Sequence, residues 1–522
     1  MKKRILNFIT ISGVLFMVSC TDLGVKETDS FVITTESGEF LGVDAAGTLS
    51  SAYNEMNWQN TQENLYALNE ATTDEQFIPT RGTDWGDNGV WRDLARHAWT
   101  GAHTFNYKAW NYLNANVYRA NQILHPKTTK TAQQEAEAKF IRAYNMFWIL
   151  DLWRQIPFRE ADQGPAVLPS VKSGQEAFDF IVADLTSALP NLPATAVGNI
   201  GAQNKASKAS ANYLLAKLYL NKHIYLGGDA QSADMDKVIG YVTAIEADGY
   251  KLQDGFFGIF GPSGDNETIF WANGQYEPRI WGSLHYNQGR ETYNTGGGWN
   301  GFATTADFYA KFEGPADNNA PGAGQEERRG FVPANSLGVG FLVGTQGGPD
   351  GVVKARSGSP LVFTKDVPAL TGQPDYTGVR LLKWHPGVKL NRGKDNEKDS
   401  ATINMAGQGL NHLVLMRYAD ALLMKAEALF RKGDAGQGLI LVNQLRVIRK
   451  ATPLASLTAD VVLDERAREL YLEGWRRNDM VRFGKFNAKF AFVDNTDASR
   501  NIFPIPDNAL GSNPNLKPTD GY

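Results

Sequence analysis

The sequence predicts a mainly α-helical protein. Its helices form tetratricopeptide-like hairpins in two blocks, separated by a large loop-rich insertion that holds short helices and strands. Three observations carry this. Apolar residues recur at steps of three and four on both sides of the middle of the chain. Between about 250 and 410 that period is lost, and Gly, Pro, Asn and Asp become dense. Near the C-terminus, Met416, Ala419, Leu423, Ala426 and Phe430 form one stripe, Gly433-Asp434 interrupts it, and Leu439, Val442, Leu445 and Ile448 form a second. Two amphipathic helices joined by so short a turn lie antiparallel, in a unit of about 34 residues. One such unit cannot bury its own apolar face, so the other helices must pack on it.

Taken in order, the chain begins with a secretory leader. Lys2, Lys3 and Arg4 precede an apolar run from Ile5 to Val18, too short to cross a bilayer comfortably. Cys20, the only cysteine, stands where a leader of 1–19 would be cleaved, although Met17 replaces the usual Leu three residues before it. A lone cysteine there points to lipid attachment at the mature N-terminus, and the polar stretch 20–40 reads as a tether. With no second cysteine, an intramolecular disulfide and cysteine-based zinc sites are excluded.

The N-terminal helical part spans 41–250. Leu113, Val117, Ala120 and Leu124 form one stripe. Phe140, Ala143, Phe147 and Leu150 place a long helix over Ala132 to Trp153, before Pro157. Ser173 and Glu176 are spaced as a capping box ahead of the stripe Phe178, Ile181, Val182, Leu185 and Leu189. Ala209, Tyr213, Ala216 and Leu220 mark a helix over Lys205 to Tyr225. In the insertion, 251–410, Thr305 to Phe312 reads as a short helix. Leu361-Val362-Phe363 and Val379 to Leu382 read as strands. The C-terminal part, 411–522, adds a third helix from Leu463 to Asn478. Its Arg466, Arg468, Arg476 and Arg477 lie among Glu465, Glu469, Glu473 and Asp479, a pattern that reads as i,i+4 pairing and helix-end charge.

The chemistry is narrowed first by what is missing. Lys plus Arg is 52 and Asp plus Glu is 56, so the net charge of -4 offers no polyanion footprint, and no nucleic-acid partner is expected. The seven histidines form no HExxH, and neither a GxSxG elbow nor a Walker A loop is present. Gly296, Gly298 and Gly301 satisfy GxGxxG but follow a polar run rather than a buried strand, so a dinucleotide site is not read from them. A carboxylate pair for glycoside hydrolysis stays open as an alternative, with no spacing that picks one out.

Rings in polar loops say more. Trp58, Trp85, Trp91, Trp281, Tyr286, Tyr293, Trp299 and Trp384 all sit in or beside Gly- and polar-rich sequence. A sugar offers C–H groups on its face and hydroxyls on its rim, so indoles stack on it while Asp, Asn and Arg bond its edge. Arg81, Asp84 and Trp85 supply both parts, as do Tyr293, Trp299 and Asn300. The competing reading packs each ring against the scaffold, most strongly for Trp91 and Trp281. No cofactor is read, although Asp84, Asp87 and Asn88 would suit a structural calcium.

With these residues in view, the chain resembles the SusD/RagB family of outer-membrane lipoproteins of Bacteroidota over nearly its whole length. The resemblance rests on Asn116 to Leu124, Glu137 to Pro157, Phe178 to Pro193 and Leu214 to Leu220. It is sharpest in Met416-Arg417-Tyr418-Ala419-Asp420, Glu465-Arg466 to Glu473-Gly474-Trp475-Arg476-Arg477, and the tail Phe503-Pro504-Ile505-Pro506 with Asn513-Pro514-Asn515-Leu516-Lys517 to Tyr522. It implies a non-enzymatic, cell-surface protein, held at the outer membrane by lipid on Cys20. Such a protein would capture oligo- or polysaccharide and deliver it to a SusC-like TonB-dependent transporter; some relatives serve peptide importers instead. It further implies a ligand platform at Trp85 and its neighbours and at Tyr293 to Asn300, with Trp281 and Tyr286 nearby. Where the family often has Gly-Trp-Gly before a short helix, this chain has Gly298-Trp299-Asn300.

Overall fold

The computed structural model describes residues 32–34, 38–164, 166–261, 264–273, 277–288, 297–348, 350–384 and 412–522. Cys20, the leader 1–19, most of the tether and Tyr293 lie outside the described residues. The architecture is mainly helical, as the periodicity predicts. Helices Ala45–Gln59, Thr104–Leu124, Ala132–Trp153, Gly174–Ala188, Lys208–Leu226 and Ser232–Ala247 pack one on the next, and Tyr418–Arg431 and Ala435–Ile448 extend the row.

Local chemistry sets several of these ends. Asp44 accepts from the amides of Ala46 and Gly47. Thr131 and Gln134 form a reciprocal capping box at the start of Ala132–Trp153, and Ser207 and Ser210 form another before Lys208. Helix Ala132–Trp153 is buried on nearly every side from Phe140 on, because neighbours pack on both flanks. Ser173 caps its helix without a side-chain bond, and Glu176 pairs instead with Lys172 at 2.9 Å, so the expected capping box there does not form.

The C-terminal block differs from the sequence reading in two ways. Met416 belongs to a strand, His412–Arg417, and the helix begins only at Tyr418. That strand pairs antiparallel with Thr268–Asn273, which ties the two ends of the insertion together. The third helix is broken: Ala459–Leu470 and Arg476–Arg482 are separated by Leu472 at φ 61° and Gly474 at φ 84°. Lys383, from the insertion, donates to the carbonyls of Tyr471 at 2.7 Å and Glu469 at 3.3 Å, a cation on the orphan acceptors of a helix C-terminus.

The charges of this block pair across the molecule rather than mainly along their own helix. Glu469 lies 2.7 Å from Arg417, 2.9 Å from Arg449 and 3.2 Å from Arg328, all fully buried. Glu267 takes the same Arg417 and Arg449, while Glu473 takes Arg417 and Lys383. Glu465 receives Arg328, Arg446 and Arg468; of these only Arg468 is a near neighbour in sequence. The i,i+4 reading is therefore corrected. A helix enclosed by the scaffold and the insertion leaves its ions no water, so they are met by guanidinium groups from distant segments.

Elsewhere in the insertion, Arg380–Leu382, Val339–Leu342 and Gly330–Phe331 form a three-stranded antiparallel sheet, and Thr305 caps the short helix Ala306–Ala310. Trp384, read from sequence as a loop ring, is buried against Phe260 with Arg279 over its face. Trp91 is buried too, in helix Val90–Arg96.

Candidate functional site

Segments far apart in sequence meet here: 80–92 with 281–288 and 297–302. Helix Glu277–Ser283 ends in carbonyls that need donors, and the segment 298–302 crosses that end and supplies them. Trp299 N–H donates to Trp281 O at 2.6 Å, Gly301 and Phe302 to Gly282 O, and Asn300 to Leu284 O. The crossing is close. A Cβ on Gly298 would stand 2.0 Å from Leu284 O, and one on Gly301 would stand 2.3 Å from Trp85 Cε2. Asn300 holds φ 54°, the left-handed conformation that asparagine tolerates better than most side chains. Of the nine non-glycine residues with positive φ among the described residues, four lie in these segments: Trp85, Asp87, Asn88 and Asn300. Such concentrated strain marks functional loops more often than scaffold.

Trp85 rests half-buried on this crossing. Its Nε1–H donates to Trp299 O at 2.8 Å, and its ring packs against Phe302 and Trp91. Trp299 keeps 41% of its surface exposed. Tyr286, half-buried, donates its hydroxyl to Asp84 Oδ2. Burial and the Asp84 carboxylate push that phenol up to about 12, so it remains a donor at neutral pH. Trp281 is partly buried and packs on the core.

Behind the rings stands a polar brace. Arg81, only 3% exposed, donates to Pro374 O, Thr377 Oγ1 and Thr377 O at 2.7–2.8 Å. Burial lowers it to about 10, against the pull of Tyr286 and Asp375. Arg380 reaches the same Thr377 carbonyl at 2.5 Å and holds Asn300 Oδ1 at 3.0 Å, while the Asn300 amide donates to Asp375 O. Arg81 and Asn300 thus lock the 374–378 turn beneath the rings. Their sequence pattern pointed to solvent, but their polar groups face inward.

That turn presents Asp375. His285 Nδ1 accepts from Asn287 N–H, so its proton sits on Nε2 and is donated to Asp375 Oδ2 at 3.0 Å. Burial lowers the His285 pKa despite Asp375, so a neutral imidazole donates to the Asp375 carboxylate. The same Oδ2 accepts from Arg356 N–H at 3.1 Å. The Arg356 guanidinium lies over the Tyr286 ring, 3.5 Å from its centroid. Of the proposed calcium donors, Asp84 faces Tyr286 and Arg356, and Asp87 accepts from the Trp91 indole. Among the described residues, no three His, Cys, Asp or Glu side chains converge as metal ligands do.

Residues 369–522 match the model of the SusD family. The starch-binding protein SusD of Bacteroides thetaiotaomicron is 27% identical over 428 residues, covering 75% of this chain and 73% of that one. The C-terminal part of the chain thus resembles the SusD family, and most of the chain aligns with starch-binding SusD. Solved structures agree on the fold. A SusD-like protein of Bacteroides fragilis superposes with a TM-score of 0.68 at 16% identity, over 92% of this chain and 96% of that one. Surface glycan-binding protein A of B. thetaiotaomicron, in complex with laminarihexaose, does so at 0.66 and 16% identity, over 91% and 98%.

The segments that carry the SusD/RagB resemblance include much of the buried ion network: Arg417, Asp420, Glu465, Arg466, Glu469 and Glu473. Arg356, Asp375 and His285 were not singled out by sequence. Asp375 stands in a turn-forming Gln373-Pro374-Asp375 run, a signal for a turn but not for what it holds. Arg356 gave no signal beyond a cation in a glycine-rich loop.

Proposed function

We propose that the protein is a cell-surface, glycan-binding lipoprotein that captures oligo- or polysaccharide and passes it to a SusC-like TonB-dependent transporter. The observation that carries this is the exposed Trp299, held by its own backbone against Trp85 and a helix end, with Tyr286 and Asp84 at its side. Rigid rings with polar neighbours suit the face and rim of a sugar. An open ridge rather than a deep pocket suits weak capture of a long polymer, where little surface is buried per residue. The nearby carboxylates of Asp84 and Asp375 are engaged by Tyr286, His285 and Arg356, which supports binding rather than acid–base chemistry. The kinship with starch-binding SusD and the laminarihexaose-bound structure support a glycan as ligand.

Lipid on Cys20 would tether the protein to the outer membrane. No described helix is long and apolar enough to cross a membrane. The test is affinity electrophoresis against a polysaccharide panel, wild type beside Trp299→Ala. Retardation by at least one glycan, lost in the variant, is the expected outcome. Equal retardation of both would remove Trp299 from the site, and none by any glycan would overturn the reading. Loss of labelled fatty acid in Cys20→Ala checks the anchor.

A further inference from the structure

The cation beside the rings narrows the ligand. Resting on the glycan-binding reading above, we propose that the platform selects glycans that carry oxyanions, uronate carboxylates or sulfate esters, and that Arg356 is the residue that reads them.

Arg356 is pinned at its backbone and free at its head. Its N–H is held by Asp375, which is itself oriented by His285. The hairpin bearing it closes through Ala355 N–H to Ser359 O and Gly358 N–H to Ala355 O. Its side chain, by contrast, is 60% exposed. The guanidinium lies flat enough on Tyr286 to come within 3.5 Å of the ring centroid, and its nearest carboxylate among the described residues is Asp84, at 3.8 Å. Asp84 is partly exposed and already accepts the Tyr286 hydroxyl. An exposed ion pair at that distance contributes almost nothing to stability, so the charge remains available to a ligand. Stacking on the ring orients the guanidinium without using its donors, which a planar oxyanion can take two at a time.

A neutral sugar gains less from this arrangement, because its hydroxyls accept from the guanidinium without the charge of an oxyanion. To stack on that face of Tyr286 it must displace the cation, losing the cation–π contact. An anionic sugar on Trp299 keeps the cation in place and bonds to it. Lys354 adds a second positive charge two residues earlier, across the buried Ala355. Its backbone carbonyl is held by Asn287, the residue after Tyr286, and among the described residues it has no carboxylate partner. Two cations beside the rings thus stand out from a chain whose overall charge is -4.

The test uses the full chain and three immobilised or titrated probes: polygalacturonate (carboxylate), a sulfated galactan (sulfate) and laminarin (neutral). Each is measured with wild type, Arg356→Gln, Lys354→Gln and Trp299→Ala. Wild type is expected to bind at least one anionic probe at least tenfold tighter than laminarin, and the preferred probe identifies the oxyanion. Arg356→Gln should weaken that binding about tenfold, as loss of a charged hydrogen-bonding group does, and Lys354→Gln less. Arg356→Gln uncovers that face of Tyr286, so laminarin binding should not fall with it, and neither variant should lower thermal stability. Raising salt should weaken the anionic interaction only. Equal or tighter binding of laminarin, or unchanged anionic binding in Arg356→Gln, overturns the proposal. If Trp299→Ala abolishes laminarin binding in that case, glycan capture survives and anion selection alone falls. If wild type retains none of the three, anion selection falls, while glycan capture falls only if the wider polysaccharide panel fails as well.

Discussion

Beneath the C-terminal helices, charged side chains face one another; on the ring-bearing ridge they face solvent, the backbone of a turn, or the rings themselves. At the base, Glu469 gathers guanidinium groups from residues 328, 417 and 449, and nothing there is exposed. On the ridge, Arg356 has one carboxylate near its guanidinium among the described residues, Asp84 at 3.8 Å. The same residue types therefore serve opposite ends. Buried ions must be matched closely or the fold fails, so they fix how the insertion sits on the scaffold. Exposed ions and rings add little to stability, so they are free to recognise something else.

Acid is the broadest way to break the base. Burial pushes Glu465 up, and Arg328, Arg468 and Arg446 more than offset it, leaving it at about 2. Asp420, Glu427 and Glu469 are likewise held well below the usual carboxylate range by neighbouring cations that outweigh burial. A depressed carboxylate stabilises the fold above its unfolded pKa of about 4 and ceases to as pH falls toward the folded value. Glu70 and Glu75, raised by burial, act in the opposite sense and lose their contribution as pH rises. The urea midpoint should therefore fall steeply between pH 5 and about pH 2; a flat profile would deny the network its role.

A single change at the base comes next. Glu469→Gln leaves three guanidinium groups short of an anion, and chemical unfolding should show a loss of about 3–5 kcal/mol. Whatever remains folded should bind glycan as before. The third test couples the regions. Gly301→Ala drives a methyl into the Trp85 ring, 2.3 Å from Cε2, so the ring must shift. Stability should drop by about 1–3 kcal/mol, and glycan retention should drop with it. The smallest effect on stability belongs to Trp299→Ala. The melting curve should move by no more than about 0.5 kcal/mol, while affinity falls by about 1–2 kcal/mol, roughly five- to thirty-fold. Trp299→Ala that unfolds the protein, or Glu469→Gln that does not, would erase the contrast.

The two regions were also unequally legible. Helix Ala132–Trp153 could be read to its ends, because a local cap and a 3.6-residue stripe act within one segment. Trp85, Trp299 and Tyr286 stood out as rings among turn-formers. The partners did not. Arg81 with Thr377, Tyr286 with Asp84 and Arg417 with Glu473 are separated by tens to hundreds of residues, and no local pattern specifies such pairs. The Arg and Glu of 465–477 misled for the same reason: their spacing fits a solvated helix face, and only tertiary burial reveals other partners. Trp384 and Trp85 share a loop-like context and differ only in what the fold lays over them.

The pairing of His412–Arg417 with Thr268–Asn273 has a consequence in chain statistics. A loop whose two ends are already fastened side by side loses little more entropy when it grows. Each doubling in length costs only about 0.6 kcal/mol. Residues can therefore be added to or removed from the exposed loops of the insertion at little cost in chain entropy. The strand pair thus separates the length of the insertion from the packing of the helices that carry it.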